Sequence, residues 1–228
     1  MKKLIRHKVA YRIITGFLIV IGFFFVHRAI ARQGSSQLVA LSNKAISTPN
    51  KAMTSITIVA ATNRSNSLTA QVAKYYAELL KKKGCEIQFL TLTDLPADFT
   101  ANALYENFGK NAAFNRLKKV METSQKYVFI IPEYNGSFPG VFKAFIDGLK
   151  FPATFTGKKC AMVGVSKGPR GGVFAMSHLT DVFHIAGMSV YPSKPRLAHI
   201  YDSQLATVLA DPVYVKLLEK QAEGIINY

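Results

Sequence analysis

Residues 130–140 read Ile-Ile-Pro-Glu-Tyr-Asn-Gly-Ser-Phe-Pro-Gly, and this stretch decides the fold. It follows an apolar run over residues 127–131, which predicts a buried strand, and precedes a predicted helix over residues 141–149. Two prolines and two glycines restrict the backbone between them. Ligands of open α/β sheets bind at the carboxyl ends of the strands. A Tyr-Asn-Gly turn there places an aromatic ring and backbone N–H groups where a ligand would lie.

The rest of the chain from residue 55 onward repeats the same strand-then-helix pattern. Strands that are apolar throughout and alternate with helices predict a parallel sheet covered on both faces. Five such strands predict an α/β fold with a flavodoxin-like, doubly wound five-stranded parallel sheet of order 2-1-3-4-5. The predicted strands are 56–60, 87–92, 127–131, 159–166 and 188–191, and the predicted helices are 68–83, 111–124, 141–149, 173–186 and 202–226, the last open to a break at Asp211-Pro212.

The loop after the first strand, loop one (residues 61–67), is rich in polar side chains. It offers hydroxyl, amide and guanidinium groups at the start of a helix, which favours an anion site matched to a phosphate monoester. The loop lacks the glycines of a dinucleotide fingerprint or a P-loop, so a single phosphate is expected. The alternative is that Ser67 only caps the helix and the loop is merely polar.

Two more loops join loop one at the same edge of the predicted sheet: loop two (residues 132–139) and loop three (residues 166–172). The three glycines of loop three expose N–H donors, and Lys167 and Arg170 add positive charge. This combination suits a reduced, anionic flavin or the phosphate of a nicotinamide nucleotide. The alternative is a flexible connection before a helix.

The charge of the chain is unevenly distributed. The 228 residues carry a formal charge of +16, and residues 1–52 contain nine Lys or Arg and no Asp or Glu. The modestly basic remainder suits an anionic ligand, above all a phosphate. Nucleic acid is disfavoured because no basic stripe interleaved with aromatic residues is present. Cys85 and Cys160 lie in or beside apolar runs without metal-ligand spacing, so no metal site is expected.

Residues 132–147 match a specific motif at every fixed position: Pro-Glu-Tyr-Asn-x-Ser-x-Pro-Gly-x-x-Lys-x-x-Ile-Asp. With this motif, residues 54–228 resemble the NAD(P)H-dependent FMN reductase family, flavodoxin-like enzymes that include quinone, chromate and azo-dye reductases. Loop one resembles the family's Gly-Ser-x-Arg-x-x-Ser loop, with Ala61 and Thr62 at its first two positions. Loop three ends in the family's Gly-Gly pair.

The resemblance implies bound FMN, with different loops holding its phosphate and its ring. The implied FMN-binding residues are Thr62, Arg64, Ser67 and Thr69 for the phosphate, Pro132, Glu133, Tyr134, Asn135 and Gly136 for the isoalloxazine, and Ser166, Gly168, Arg170, Gly171 and Gly172 for its pyrimidine edge.

The implied reaction passes a hydride from NADPH or NADH, through N5 of FMN, to a quinone-like or other small acceptor. The resemblance assigns no catalytic side chain, and it implies a homodimer or homotetramer. His178 and His184 are expected to be packing or surface residues. The alternative function is a flavodoxin-like electron carrier without nicotinamide turnover. Such carriers tend to be acidic, whereas this body is basic.

Residues 1–52 form an N-terminal extension before the predicted FMN-binding domain, residues 53–228. The extension contains an apolar segment, residues 13–27, with the basic start and small-residue end of a signal sequence or anchor. A third interpretation places the true start at Met53. The flanking charges would send the rest of the chain across the membrane, which conflicts with the use of cytoplasmic nicotinamide. A cytoplasmic catalytic domain is therefore favoured, with membrane contact only through residues 13–27.

Overall fold

The computed structural model describes residues 54–201 and 205–228. The predictions for the N-terminal extension, including the apolar segment 13–27, lie outside these ranges. Within the two ranges, every helix is too short or too polar to cross a bilayer.

The described residues form one parallel sheet of six strands. Its strands are β1 Ser55–Ala60, β2 Glu86–Thr91, β3 Lys126–Pro132, β4 Lys159–Val165, β5 Ser189–Val190 and β6 Arg196–Leu197. The spatial order β2-β1-β3-β4-β5 confirms the prediction, and β6 is an unpredicted addition that also pairs with β4. β5 pairs with the first residues of β4 and β6 with its last. Two short strands therefore fill the predicted fifth position, and Pro192 and Pro195 lie in the segment that separates them.

Helices cover both faces of the sheet. They are α1 Leu68–Lys82, α2 Phe99–Asn102, α3 Ala112–Thr123, α4 Gly140–Asp147, α5 Val173–Ile185, α6 Leu205–Ala210 and α7 Pro212–Asn227. The break predicted at Asp211-Pro212 is present, since α6 ends at Ala210 and α7 begins at Pro212. Asp211 caps α7, because its carboxylate accepts a hydrogen bond from the Val213 N–H. α2 lies in the polar segment between β2 and α3, where the sequence predicted no helix.

Alternate residues of the central strands point into two separate apolar cores. Phe129 on β3 belongs to the core under α3, α4 and α5, where its ring centroid lies 4.7 Å from that of Phe183. Its neighbours Val128 and Ile130 belong to the core under α1 and α7. β2 is less buried than the central strands. This strand is at the edge of the sheet, and 39% of Phe89 is exposed.

Gln221, which is fully buried, fastens α7 to the sheet. Its Nε2 donates to the carbonyl oxygens of Met162 on β4, at 2.8 Å, and Ser193, at 2.7 Å. Its Oε1 accepts from the Tyr76 hydroxyl at 3.0 Å. Because buried polar groups are costly when unpaired, this network fixes the segment between β5 and β6 on the sheet.

Candidate functional site

A cleft of about 660 Å³ lies at the carboxyl edge of the sheet, where the three loops meet. The meeting of loops one, two and three follows from the parallel order of β1, β3 and β4. The residues that line the cleft are Arg64, Ser65, Asn66, Ser67, Leu68, Thr69, Pro132, Glu133, Tyr134, Val165, Ser166, Lys167, Gly168 and Ile200.

One end of the cleft is formed by loop one and the first turn of α1. Ser67 is the helix N-cap, and its Oγ accepts from the Ala70 N–H at 3.1 Å. The first turn of α1 contains no acidic residue, so no side chain there neutralises the positive end of the helix dipole. Arg64, which is exposed, adds a guanidinium at the same end. This end of the cleft is therefore suited to an anion.

Thr62 lies beneath this end rather than in the lining, with only 1% of its surface exposed. Its Oγ1 accepts from the Arg64 N–H at 3.2 Å and lies 2.9 Å from the Tyr134 hydroxyl. Thr62 therefore joins loop one to loop two and fixes the position of the Tyr134 hydroxyl.

Loop two contains a tight two-residue turn. The Tyr134 N–H donates to the Ser137 carbonyl at 2.8 Å, and the Ser137 N–H donates to the Tyr134 carbonyl at 3.1 Å. Asn135, at φ 51°, and Gly136, at φ 77°, occupy the two central positions, as an Asn-Gly type I′ turn requires. Pro132, Glu133 and Tyr134 line the cleft, whereas Asn135 and Gly136 lie at the turn tip outside the lining.

Two contacts attach loop two to α5. The Glu133 carboxylate accepts from the Phe174 backbone N–H at 3.3 Å, in the first turn of that helix. One turn later, His178 Nδ1 lies 2.9 Å from the Ser137 hydroxyl. His178 is exposed, and it also holds the turn through this contact.

Loop three is divided between the cleft and the sheet. Ser166, Lys167 and Gly168 line the cleft, and the Ser166 hydroxyl accepts from the Gly168 N–H at 3.0 Å. Arg170 lies outside the lining, with its guanidinium 5.0 Å from the ring centroid of Phe174.

Gly171 and Gly172 are buried behind the wall of the cleft rather than in its lining. Both have positive φ, 59° and 80°. A β-carbon at Gly172 would lie 2.9 Å from the Gly164 Cα, and one at Gly171 would lie 2.8 Å from the Arg196 Cβ. The pair allows loop three to pack directly on β4 and β6.

Three apolar lining residues lie outside the predicted set: Leu68, Val165 and Ile200. Ile200 comes from the segment after β6, and its N–H donates to the Ser166 carbonyl at 3.1 Å. Sequence spacing carried no signal for Ile200, because the short strand β6 brings it to the cleft. Three further lining residues belong to loops one and three but were not among the predicted FMN-binding residues: Ser65, Asn66 and Lys167.

Residues 54–201 match the family model for NADPH-dependent FMN reductases. The chain belongs to this family. A quinone reductase of Pseudomonas putida is 31% identical over 130 residues, which are 54% of this chain and 66% of that protein. An NAD(P)H-dependent FMN reductase of Pseudomonas aeruginosa is 32% identical over 108 residues, 44% of this chain and 57% of that protein. The chain thus covers just under two thirds of the quinone reductase, and the predicted family is confirmed.

Solved structures of similar fold include two flavoenzymes. NADH:FMN oxidoreductase (EMOB), in its apo form, matches with a TM-score of 0.65 and 20% identity over 76% of this chain and 89% of that one. The NAD(P)H:(acceptor) oxidoreductase FerB from Paracoccus denitrificans matches with a TM-score of 0.62 and 24% identity, over 77% and 97%. Both confirm the predicted fold.

Proposed function

We propose that this protein is an NAD(P)H-dependent, FMN-containing oxidoreductase that transfers a hydride from a nicotinamide nucleotide to a quinone-like or other small acceptor. The observation that carries this proposal is a single cleft whose two ends differ in chemistry. One end is the uncompensated N-terminus of α1, and the other is the wall formed by Glu133 and Tyr134. A flat ring joined to one phosphate has the matching shape and charge.

The residues present fit FMN as the bound group. Arg64, Ser67 and Thr69 would hold its phosphate, because the N-terminus of α1 offers N–H groups that an anion can accept from. Pro132 to Tyr134 would pack against its ring system, and Ser166 to Gly168 would close the opposite side. When bound, FMN supplies hydride acceptance and donation, chemistry that protein side chains lack.

The side chains of the cleft would bind and orient rather than react. Tyr134 is 37% exposed, and its hydroxyl is anchored to Thr62, so its ring offers a fixed aromatic surface. Glu133 is held by the Phe174 N–H, which keeps its carboxylate at the start of α5. Lys167, exposed on the rim, places positive charge where phosphate groups of a nicotinamide nucleotide would approach.

We further infer a homodimer or homotetramer with its catalytic domain in the cytoplasm. Large apolar side chains on the α4 and α5 side of the sheet support association, since 61% of Phe151 and 77% of Ile185 is exposed. Cytoplasmic NAD(P)H is the reductant that the proposed reaction needs. Sedimentation velocity on the full chain and fractionation of cells test these two statements, and a monomer or an exported protein would contradict them.

The direct test of the proposal is flavin binding and turnover by the full chain. We expect the purified protein to take up added FMN with a shift in flavin absorbance, and to oxidise NADPH or NADH when a benzoquinone is present. A protein that takes up no FMN would refute the proposal. A flavin-loaded protein that leaves both nucleotides unoxidised would instead favour an electron carrier.

Thr62→Val is expected to raise the dissociation constant for FMN about tenfold. The valine keeps the shape of Thr62 but loses the hydrogen bonds with Tyr134 and the Arg64 N–H, and each net hydrogen bond contributes about 1 kcal/mol. Fluorescence titration of FMN measures the change. Thr100→Val, at an exposed position on α2, is the control and should bind FMN as the unchanged protein does. Equal affinities for Thr62→Val and the control would contradict the role assigned to Thr62.

A further inference from the structure

We propose that Arg170, stacked on the ring of Phe174, binds the 2′-phosphate of NADPH and makes this protein select NADPH over NADH. The inference rests on the proposed function, because it concerns the nucleotide that delivers the hydride. It assigns a specificity-determining role to two residues that do not line the cleft.

The first observation is the state of the Arg170 side chain. Its guanidinium carbon lies 5.0 Å from the ring centroid of Phe174, and the residue is exposed. Within residues 54–201 and 205–228, no carboxylate forms an ion pair with it. A planar guanidinium held on an aromatic face is pre-oriented for bidentate contact with a phosphate. Among the described residues, Arg170 is therefore held in place by Phe174 and has no anionic partner.

The second observation is where this pair lies. Phe174 donates its backbone N–H to Glu133, and Glu133 lines the cleft. On the other side, Arg170 follows Lys167 and Gly168, which also line the cleft. Arg170, in loop three, and Phe174, at the start of α5, thus lie on the rim beside the ring-binding wall.

The size of the ligand explains why the rim matters. A nicotinamide nucleotide consists of two nucleotides, and the lining of the cleft of about 660 Å³ is already assigned to FMN. The adenosine half must then extend over the rim. NADPH differs from NADH there by one phosphate monoester, which carries close to two negative charges where NADH has a hydroxyl. An unpaired guanidinium on the rim discriminates between these two groups.

A second exposed aromatic residue, Tyr201, provides the competing location. It follows Ile200, which lines the cleft, and 44% of its surface is exposed. No cation stacks on Tyr201 among the described residues, whereas Arg170 stacks on Phe174. The phosphate therefore favours the Phe174 side, and a Tyr201 variant separates the two locations experimentally.

Direct binding gives a readout that does not depend on turnover. Calorimetry on the full chain would compare adenosine 2′,5′-bisphosphate with adenosine 5′-monophosphate. We expect the bisphosphate to bind about tenfold more tightly, as one charge-assisted contact allows. The preference should disappear in Arg170→Gln, persist in part in Arg170→Lys, and weaken in Phe174→Leu. Arg116→Gln, an exposed arginine on α3, is the matched control and should keep it.

Kinetics gives the second readout. Arg170→Gln should lower kcat/KM for NADPH about tenfold through KM and leave kcat/KM for NADH unchanged. The inference is overturned if Arg170→Gln leaves both nucleotide preferences intact, or if Tyr201→Leu or Arg116→Gln removes them instead. Failure of the unchanged protein to oxidise either nucleotide would refute the proposed function, while the binding comparison would still decide the role of Arg170.

Discussion

Replacing Gly164 with alanine is expected to destabilise the fold by about 3 kcal/mol or more and to weaken FMN binding at least tenfold. A β-carbon at position 164 would lie 2.2 Å from the carbonyl oxygen of Gly171 and 2.7 Å from Cε of Met176. The Met176 side chain can rotate away, but the carbonyl belongs to the backbone of loop three. β4 cannot retreat either, because it pairs with β3 on one side and with β5 and β6 on the other. Loop three must therefore move.

A displaced loop three would carry part of the cleft with it. Ser166 and Gly168 line the cleft, and their backbones bond to Ile200 and His199. Urea unfolding and FMN titration measure the two effects on the same protein. Gly140→Ala is the matched control, since no atom lies within 4 Å of its added β-carbon and its φ is not positive. The control should be as stable as the parent, and an unchanged urea midpoint for Gly164→Ala would contradict the packing argument.

The sequence predicted the centre of the sheet better than its margins. β1, β3 and β4 are buried along almost their whole length, so each reads as an unbroken apolar run. β2 is at an edge of the sheet: it begins with the exposed Glu86, and the exposed Gln88 lies between its apolar residues. β6 has two residues and no period to detect, and only its pairing with β4 defines it.

The sequence indicated the three loops of the candidate site, but not which of their residues line the cleft. The sequence indicated which loops meet, because parallel strands end at one edge of the sheet. It did not indicate that Asn135 and Gly136, at the tip of the type I′ turn, lie outside the lining of the cleft. Glycine also has two uses that look alike in a sequence: Gly168 lines the cleft, while Gly172 lets two backbones touch. Only the structure distinguishes the two glycines, because Gly172 packs against β4 and Gly168 does not.

The protein is expected to lose stability steeply above about pH 10.5, because three buried acidic groups stay protonated only in the folded state. Burial raises the pKa of the Tyr76 and Tyr127 hydroxyls and of the Cys160 thiol. In the unfolded chain these groups ionise near their ordinary pKa values, 10.0 for tyrosine and 9.0 for cysteine. Above those values the folded state binds more protons than the unfolded state, so the free energy of unfolding falls as pH rises.

Lys158 opposes this loss over part of the range. Its ammonium is buried and donates to the carbonyls of Met121 and Glu122, both at 2.8 Å, and burial lowers its pKa below the ordinary 10.5. Between its lowered pKa and pH 10.5 the unfolded chain binds the extra proton, so this lysine makes stability rise with pH. Its contribution ends near pH 10.5, whereas the contributions of the three acidic groups continue.

The expected profile therefore bends downward where the lysine contribution ends. Each acidic group adds a slope of up to about 1.4 kcal/mol per pH unit, so three together remove roughly 4 kcal/mol per unit. Urea unfolding between pH 8 and pH 11.5 measures the profile. Cys160→Ala should be less stable at every pH because of the cavity, but its profile should be flatter above pH 9, where the thiol no longer contributes. A free energy of unfolding that stays constant from pH 9 to pH 11.5 would show that Tyr76 and Tyr127 ionise as readily in the folded protein as in the unfolded chain.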